Sequence, residues 1–386
     1  MSSDETVPSC PSCGARMVAG ARFCEGCGAM IGDSAPPSAS TPGTEPSADH
    51  PLAAAPISAP TRRPSQALPD PPAAPAARAC VECGGEVGSD FYCTACGSKA
   101  PSPRDHFEEQ PAVWVAGVCD RGIVHSRNED AMALLASTEP GARAVLVVLD
   151  GVSNSIDSDV ASLAGAKAAR EVLRMPLPSG MGTPDSRASA VAKVFSDAAK
   201  AANSAIVATT DPDSPNPASA TFVAAVLEGS RVHVANVGDS RAYWLPDAGE
   251  GVQLTVDDSL AQELIAGGMA RDEAEQSPQA HAITKWLGRD SPDISPRVAA
   301  LDLTGSGWLL VCSDGLWNYA STPAELGPLV REGADDVLGL ARALVAFANG
   351  CGGRDNITAS LARVEVPGQA PAARVGQNAA HPEPNQ

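Results

Sequence analysis

The chain has 386 residues, with 46 Asp and Glu against 27 Lys and Arg, for a formal net charge of -19. At about 100–200 residues per domain this length allows two or three folded units, and the acidic balance argues against non-specific binding to nucleic acid or to an anionic membrane surface. Hydrophobic residues make up 44% but aromatic residues only 4%, so a core has to be built mostly from Ala, Val and Leu.

Taken in chain order, Met1 to Pro8 lacks the basic and apolar regions of a secretory signal, and no later run is long and apolar enough to span a bilayer. The expected location is the cytoplasm, with no membrane partner. Residues 8–30 form a first cysteine-rich knot. Residues 31–79 are a Pro, Ala and Ser tract that buries too little to fold and reads as an extended, disordered linker. Residues 80–100 form a second knot, residues 112–366 one large domain, and residues 367–386 a disordered tail.

Inside the large domain, short β-branched runs predict strands at 113–119, 144–149, 220–227, 231–237, 241–245, 308–312 and 356–362. Amphipathic stretches predict helices at 159–173, 187–208, 260–268 and 335–349. The steps Glu228-Gly229-Ser230 and Gly238-Asp239-Ser240 are too short for crossover helices, so the strands they join are expected to pair antiparallel. Strand runs mixed with helix runs give an α+β class and argue against a doubly wound parallel sheet.

Of the 11 cysteines, eight sit in four Cys-x-x-Cys pairs. Cys10, Cys13, Cys24 and Cys27 form one group, and Cys80, Cys83, Cys93 and Cys96 the other, and both resemble zinc ribbons. Each pair lets two thiolates converge on one ion, and two pairs complete a closed tetrahedral Zn2+ site. Glycine follows the second cysteine of every pair (Gly14, Gly28, Gly84, Gly97), where the turn can need positive φ. Redox or disulfide pairs do not explain the doubled spacing. Four thiolate ligands leave no position open for chemistry, and neither knot is basic, so the expected role is docking of a protein partner, or joining of the two halves into one unit across the linker, and not binding of nucleic acid.

The large domain carries acidic residues beside Gly or Asn at strand ends: Glu129-Asp130, Asp150-Gly151, Asp239, Asp314 and Asp355. Singly, each reads as a turn. Together they can converge into a dense negative pocket that needs hard cations to neutralise it, and oxygen ligands of this kind suit Mg2+ or Mn2+.

These residues sit in ordered motifs: 123–130, Val147 to Gly151, Val237-Gly238-Asp239-Ser240-Arg241, Leu254 to Asp258, Leu310 to Leu316 and Gly353 to Thr358. The set, spread over 113–366, resembles the PPM family of metal-dependent protein Ser/Thr phosphatases, the type 2C class in its bacterial form. The resemblance implies a central antiparallel β-sandwich flanked by helices, a four-layer αββα arrangement. It implies two Mn2+ or Mg2+ ions bridged by Asp150, with Asp314 and Asp355 completing one site and Glu129 and the Gly151 carbonyl serving the other. Asp130 would stand in the outer shell, and a third ion could be held by Asp239 with Asp314. The implied reaction is hydrolysis of phosphoserine and phosphothreonine in proteins phosphorylated by a Ser/Thr kinase, by water activated between the metals.

Three positions depart from the family pattern. His125 stands where Arg is usual, and Arg127 is the expected phosphate-holding residue, since a guanidinium fork binds two oxygens. Val152-Ser153-Asn154-Ser155 stands where a histidine-bearing sequence follows Asp-Gly, which leaves His125 or a metal-bound water as the candidate general acid. Ser219-Ala220-Thr221 stands where Gly-Thr-Thr is usual. A second reading is a catalytically silent phosphatase-like adaptor that docks partners through its zinc ribbons. His233 and His281 are expected to be structural or solvated, and Cys119, Cys312 and Cys351 to be small buried hydrophobes. Within the large domain a tyrosine-phosphatase Cys-x5-Arg loop is absent, and so is a Walker A sequence.

Overall fold

The computed structural model describes residues 79–80, 83–88, 91–98, 100–152, 155–333 and 336–365. The first cysteine knot, most of the expected linker and the tail lie outside them. The chain divides into two units, Met1–Ala100 and Pro101–Gln386. Among the described residues no helix is long and apolar enough to cross a membrane.

In the first unit the second knot is drawn together by short bridges between Ala79 and Glu86 and between Val87 and Cys93. The second unit begins with β1 (His106–Ala112), β2 (Val115–Asp120), β3 (Ala131–Ala136) and β4 (Arg143–Leu149), followed by α1 (Ser158–Val172) and α2 (Pro184–Thr209). Next come β5 (Ser219–Ala220), β6 (Phe222–Glu228), β7 (Arg231–Val237), β8 (Arg241–Pro246) and β9 (Val252–Gln253), then α3 (Leu260–Ala266) and α4 (Arg271–Glu275). The unit closes with β10 (Leu287–Gly288), β11 (Arg297–Asp302), β12 (Gly307–Cys312), α5 (Asp314–Trp317), α6 (Pro323–Glu332), α7 (Val337–Gly350) and β13 (Ile357–Val364).

The strands form a six-stranded sheet, β1-β2-β13-β12-β8-β9, and a five-stranded sheet, β11-β7-β6-β4-β3, with a small β10-β5 pair beside them. Alternation along single strands stacks these sheets. In β4, Val145, Val147 and Leu149 enter the core beneath α1 and α2, while Ala144, Leu146 and Val148 enter the core between the sheets. In β12, Leu309 and Val311 face that same inter-sheet core, and Leu310 and Cys312 face the core under α5, α6 and α7. A period of two with both faces apolar demands cover on both sides, and the result is the expected αββα order of layers.

Helix α2 buries Val191, Phe195, Ala198, Ala202 and Ile206 along one stripe. Its start is set by Thr183, whose side chain accepts from the Ser186 amide, and by Pro184 in the first turn. Thr322 and Glu325 form a capping box on α6, which sequence reading left without an element. Helix α7 starts at Val337, later than the expected 335, because Asp336 caps it through the Gly339 amide.

The structure corrects several boundaries. The expected strand at 113–119 is a turn at Val113 and Trp114 followed by β2, and the domain starts earlier than residue 112 because β1 pairs with β2. The β6–β7 hairpin forms as expected. The step Gly238-Asp239-Ser240 does not make a hairpin: β7 lies in the five-stranded sheet and β8 in the six-stranded one. Gly238 turns there with φ +95, and a Cβ on it would lie 2.9 Å from Thr221 Cβ and Cγ2, so the chain can change sheets only through glycine. Cys119 and Cys312 are buried, but Cys351 caps the end of α7 and is exposed.

Candidate functional site

The sandwich gathers its acidic residues at one end. Glu129 and Asp130 precede β3, Asp150 follows β4, Asp239 follows β7, Asp314 follows β12 and opens α5, and Asp355 precedes β13. Antiparallel pairing puts the start of one strand beside the end of its neighbour, so ligands from both sheets meet without any long loop. Glu129, Asp130 and Asp239 are buried.

The carboxylates act on one another. Burial above all, then the charges of Asp130, Asp314, Asp355 and Asp239, hold the Asp150 carboxyl well above the usual carboxylate range. Burial and the charges of Asp355, Asp239 and Asp130 do the same to Asp314. Burial pushes Asp130 up to about 7 against two hydroxyl donors, and burial followed by the Asp257 charge pushes Asp239 up to about 7. Five mutually repelling carboxylates are costly unless a cation neutralises them.

Two oxygen atoms point to the same need. Asp130 Oδ2 accepts from Ser313 Oγ at 2.6 Å and Thr358 Oγ1 at 2.7 Å, but its Oδ1 is buried with no partner. Asp314 Oδ2 accepts from Asn318 Nδ2 at 3.1 Å, and its Oδ1 is likewise buried and alone. Buried carboxylate oxygens without donors are a fit for hard divalent cations.

Glu129 is held differently. Its Oε1 accepts from Arg127 Nε at 3.0 Å and Nη2 at 2.6 Å, and also from the Ser158 hydroxyl. Its amide donates to Asn356 Oδ1 at 2.7 Å and its carbonyl accepts from Ser162 Oγ at 2.6 Å. Arg127 Nη2 reaches the Ser155 carbonyl and Ser158 Oγ as well. The fork that the sequence assigns to phosphate is therefore turned onto Glu129 and the start of α1. His125 lies partly exposed at the rim, its Nε2 3.3 Å from Asp355 Oδ1 and its Nδ1 3.9 Å from Glu129 Oε2. Gly151 packs against Glu129, its amide donating to the Glu129 carbonyl at 3.2 Å.

Sequence reading missed the supports. Arg104 Nη2 donates to the carbonyls of Asp130 at 2.7 Å and Asp159 at 3.2 Å, tying the loop of Glu129 and Asp130 to α1. Buried Arg241 grips Asp257 through Nε and Nη2, reaches Glu275 at 3.0 Å, and lies 3.6 Å over the Trp317 ring. Trp317 Nε1 in turn donates to the Asp239 carbonyl at 3.0 Å. Arg241 and Asp257 stand in the motifs quoted above, and that was the available signal; for Arg104 there was none. A groove of about 780 Å3 runs from Asp355 and Arg354 past His281 and Trp317 to Arg271 on α4. His281 sits there on an exposed loop, 5.8 Å from the Trp317 ring centre.

In the first unit, one ligand atom from each of Cys80, Cys83, Cys93 and Cys96 lies within 4.8 Å of the others. Gly84 and Gly97 take φ of 72 and 73, as the turns were expected to require. The amides of Ala95 and Cys96 point at Cys93 Sγ, and the Ser98 hydroxyl and backbone bring the Cys96 thiol down to about 6. Cys10, Cys13, Cys24 and Cys27 lie outside the described residues.

Comparison with known proteins gives a consistent outcome. The family model of protein phosphatase 2C matches residues 123–339, and a zinc-ribbon domain model matches residues 9–31. The chain is 32% identical over 248 residues to the serine/threonine protein phosphatase PstP of Mycobacterium tuberculosis, covering 64% of this chain and 44% of PstP. It is 38% identical over 143 residues to the protein phosphatase PhpP of Streptococcus pneumoniae, covering 36% of this chain and 55% of PhpP. The chain thus spans about half the length of these curated relatives. Among solved structures it is similar to Mycobacterium tuberculosis PstP, with a TM-score of 0.53 and 27% identity over 65% of this chain and 98% of that one. It is also similar to Stp1 of Staphylococcus aureus, with a TM-score of 0.56 and 25% identity over 66% of this chain and 96% of that one.

Proposed function

The chain belongs to the protein phosphatase 2C family, and from that premise we propose that it hydrolyses phosphoserine and phosphothreonine in proteins at a centre of two Mn2+ or Mg2+ ions. The observation that carries this reading is the pair of buried, partnerless oxygens, Asp130 Oδ1 and Asp314 Oδ1, inside a cluster of mutually repelling carboxylates. A PstP catalytic domain, 28% identical to this chain with a TM-score of 0.50, has been solved with two manganese ions.

The residues that would hold the ions are Asp150, Asp314, Asp355, Glu129 and the Gly151 carbonyl. Asp130 stands behind, and Asp239 with Asp314 is the candidate for a third. When bound, such ions supply Lewis-acid polarisation of the phosphoryl group and a water acidified for in-line attack.

The protein's own groups do the rest. Arg127 fixes Glu129, with Ser158 sharing the same oxygen, so the carboxylate presents its other oxygen to the site. His125, at the rim with its Nε2 3.3 Å from Asp355 Oδ1, would give a proton to the leaving serine or threonine oxygen. The groove from Asp355 past Arg354 and Arg271 offers the substrate chain a path of mixed charge. The zinc ribbons contribute no chemistry. Each would hold one Zn2+ on its four cysteines and serve as a docking module for a protein partner.

The test is phosphate release from phosphothreonine, phosphoserine and phosphotyrosine peptides by the full chain, before and after dialysis against buffer free of Mn2+ and Mg2+. Release from the first two that needs either cation supports the reading. An inert chain that still binds Mn2+ would turn the reading to a phosphopeptide-binding adaptor.

A further inference from the structure

Away from the acidic cluster, a groove of about 650 Å3 lies where the amino end of α2 meets β7 and β11. Its ionised lining is cationic: Thr183 and Pro184 open α2, Arg187 and Arg231 line the walls, and beside them lies the His233 imidazole. Among the described residues the Arg187 side chain has no ion pair, whereas Arg231 Nη1 meets Asp302 Oδ1 at 2.8 Å. The α2 macrodipole adds positive potential at the same place, partly offset by the Asp185 carboxylate of its first turn. On a chain of net charge -19 such a gathering is against the average.

His233 is the informative residue. It shares a face of β7 with Ala235 and Val237, which are buried in the core beneath α1 and α2. An apolar side chain would serve packing equally well at that position. Instead an imidazole is 5% exposed with its Nε2 buried and partnerless, and Nε of neighbouring Arg231 is also buried without a partner. Across the sheet His233 faces Ala300 of β11, the edge strand of its sheet. Ala300 and Val298 are exposed, so the groove has an uncovered apolar floor beside its basic wall.

We propose that this groove binds a small organic anion, its head group seated between Arg187, Arg231 and His233 at the amino end of α2 and its apolar body lying on Val298 and Ala300. Guanidinium groups and a helix amino end are the donors that phosphoryl and carboxylate groups share. The floor selects against a bare inorganic ion. Binding here leaves the acidic cluster untouched, because none of the groove's lining residues belongs to it.

The experiment follows the imidazole signals of the full chain by 1H–15N NMR in Mg2+, with His233 assigned by its loss in His233→Gln. The probes are phenylphosphonate, benzoate and inorganic phosphate. The proposal expects a saturable shift at His233 with one of the two aryl anions, and the one that binds identifies the head group. That anion binds at least about tenfold more tightly than inorganic phosphate, and Arg187→Ala weakens it by about tenfold. Ala300→Glu, which sets a carboxylate on the exposed floor, abolishes the shift. Absence of a saturable shift with both aryl anions overturns the proposal. So does equal binding of inorganic phosphate, or a shift that survives both substitutions unchanged.

Discussion

Arg127 and Glu129 face each other with two donors on one acceptor: Nε at 3.0 Å and Nη2 at 2.6 Å from the same oxygen, Oε1. Glu129 is 2% exposed at its side chain and Arg127 38%, so the pair joins a buried carboxylate to a partly solvated cation. The guanidinium both neutralises and aims the acid.

Removal of that cation is therefore expected to act on metal binding more than on substrate binding. In Arg127→Ala the Mn2+ concentration for half-maximal phosphate release rises by about an order of magnitude, with a smaller change in peptide KM. Arg127→Lys, which keeps charge but loses the fork, falls between. Metal titrations at fixed peptide, repeated by calorimetry, check this. A raised KM with unchanged Mn2+ dependence would return Arg127 to the role of phosphate holder.

Arg104 braces the same loop from behind. Its Nη2 holds the carbonyls of Asp130 and Asp159, and its main-chain oxygen accepts from Asn128 Nδ2 at 2.9 Å. Arg104→Ala is expected to lower stability by about 2–3 kcal/mol, the range for hydrogen bonds to a charged group that leave buried acceptors unpaired. Urea unfolding measures this, and a loss under about 0.5 kcal/mol would mean that the brace is idle.

The cluster also sets a pH dependence. Asp130 and Asp239 are pushed up to about 7, from ordinary values near 4, by burial. Between those limits the folded state keeps protons that the unfolded state has released, so without divalent cations stability falls as pH rises from about 4 to about 7. The thermal midpoint of the cation-free protein is expected to be several degrees lower at pH 7.5 than at pH 5.5. Added Mn2+, which binds the ionised form, restores it at pH 7.5. A midpoint independent of both pH and Mn2+ would contradict the shared burial of these carboxylates.

The four thiolates of the second knot make a stoichiometric prediction. Their ligand atoms lie within 4.8 Å of one another, the geometry of one closed site. Cys83→Ser with Cys96→Ser is expected to lower bound zinc from two per chain to one, measured by atomic absorption after gel filtration. Zinc content unchanged by this double substitution would remove the site.

Much of this was legible in the sequence where one rule acts alone. Val145 to Leu149 and Leu309 to Val311 are apolar on both faces, and short β-branched runs of this kind read as strands covered on both sides. The acidic residues announced themselves because Asp beside Gly or Asn recurs at strand ends. Strand β3 did not, since its Ala131-Met132-Ala133-Leu134-Leu135-Ala136 is composed of helix formers and is extended only by pairing with β4. Strand β1 was hidden by Glu108 and Glu109, the latter reaching across to cap the Leu134 amide. The turn at Gly238 looked like a hairpin because length alone does not reveal which sheet the next strand joins. Arg127 was assigned to phosphate because its contacts with Ser155 and Ser158, just before and at the start of α1, lie beyond the local motif that also holds Glu129. Arg241 and its grip on Asp257 and Glu275 likewise join residues that only folding brings together.

The central claim is that carboxylates from the two sheets would hold the cations at which water hydrolyses a phosphomonoester. It is tested most directly by phosphate release from a phosphothreonine peptide, comparing wild type and Asp314→Asn across a Mn2+ titration. The account predicts Mn2+-dependent turnover in wild type and a loss of about three orders of magnitude or more in Asp314→Asn, with the fold retained by circular dichroism. Equal turnover by the two proteins, or turnover in wild type that does not depend on added Mn2+ or Mg2+, would contradict it.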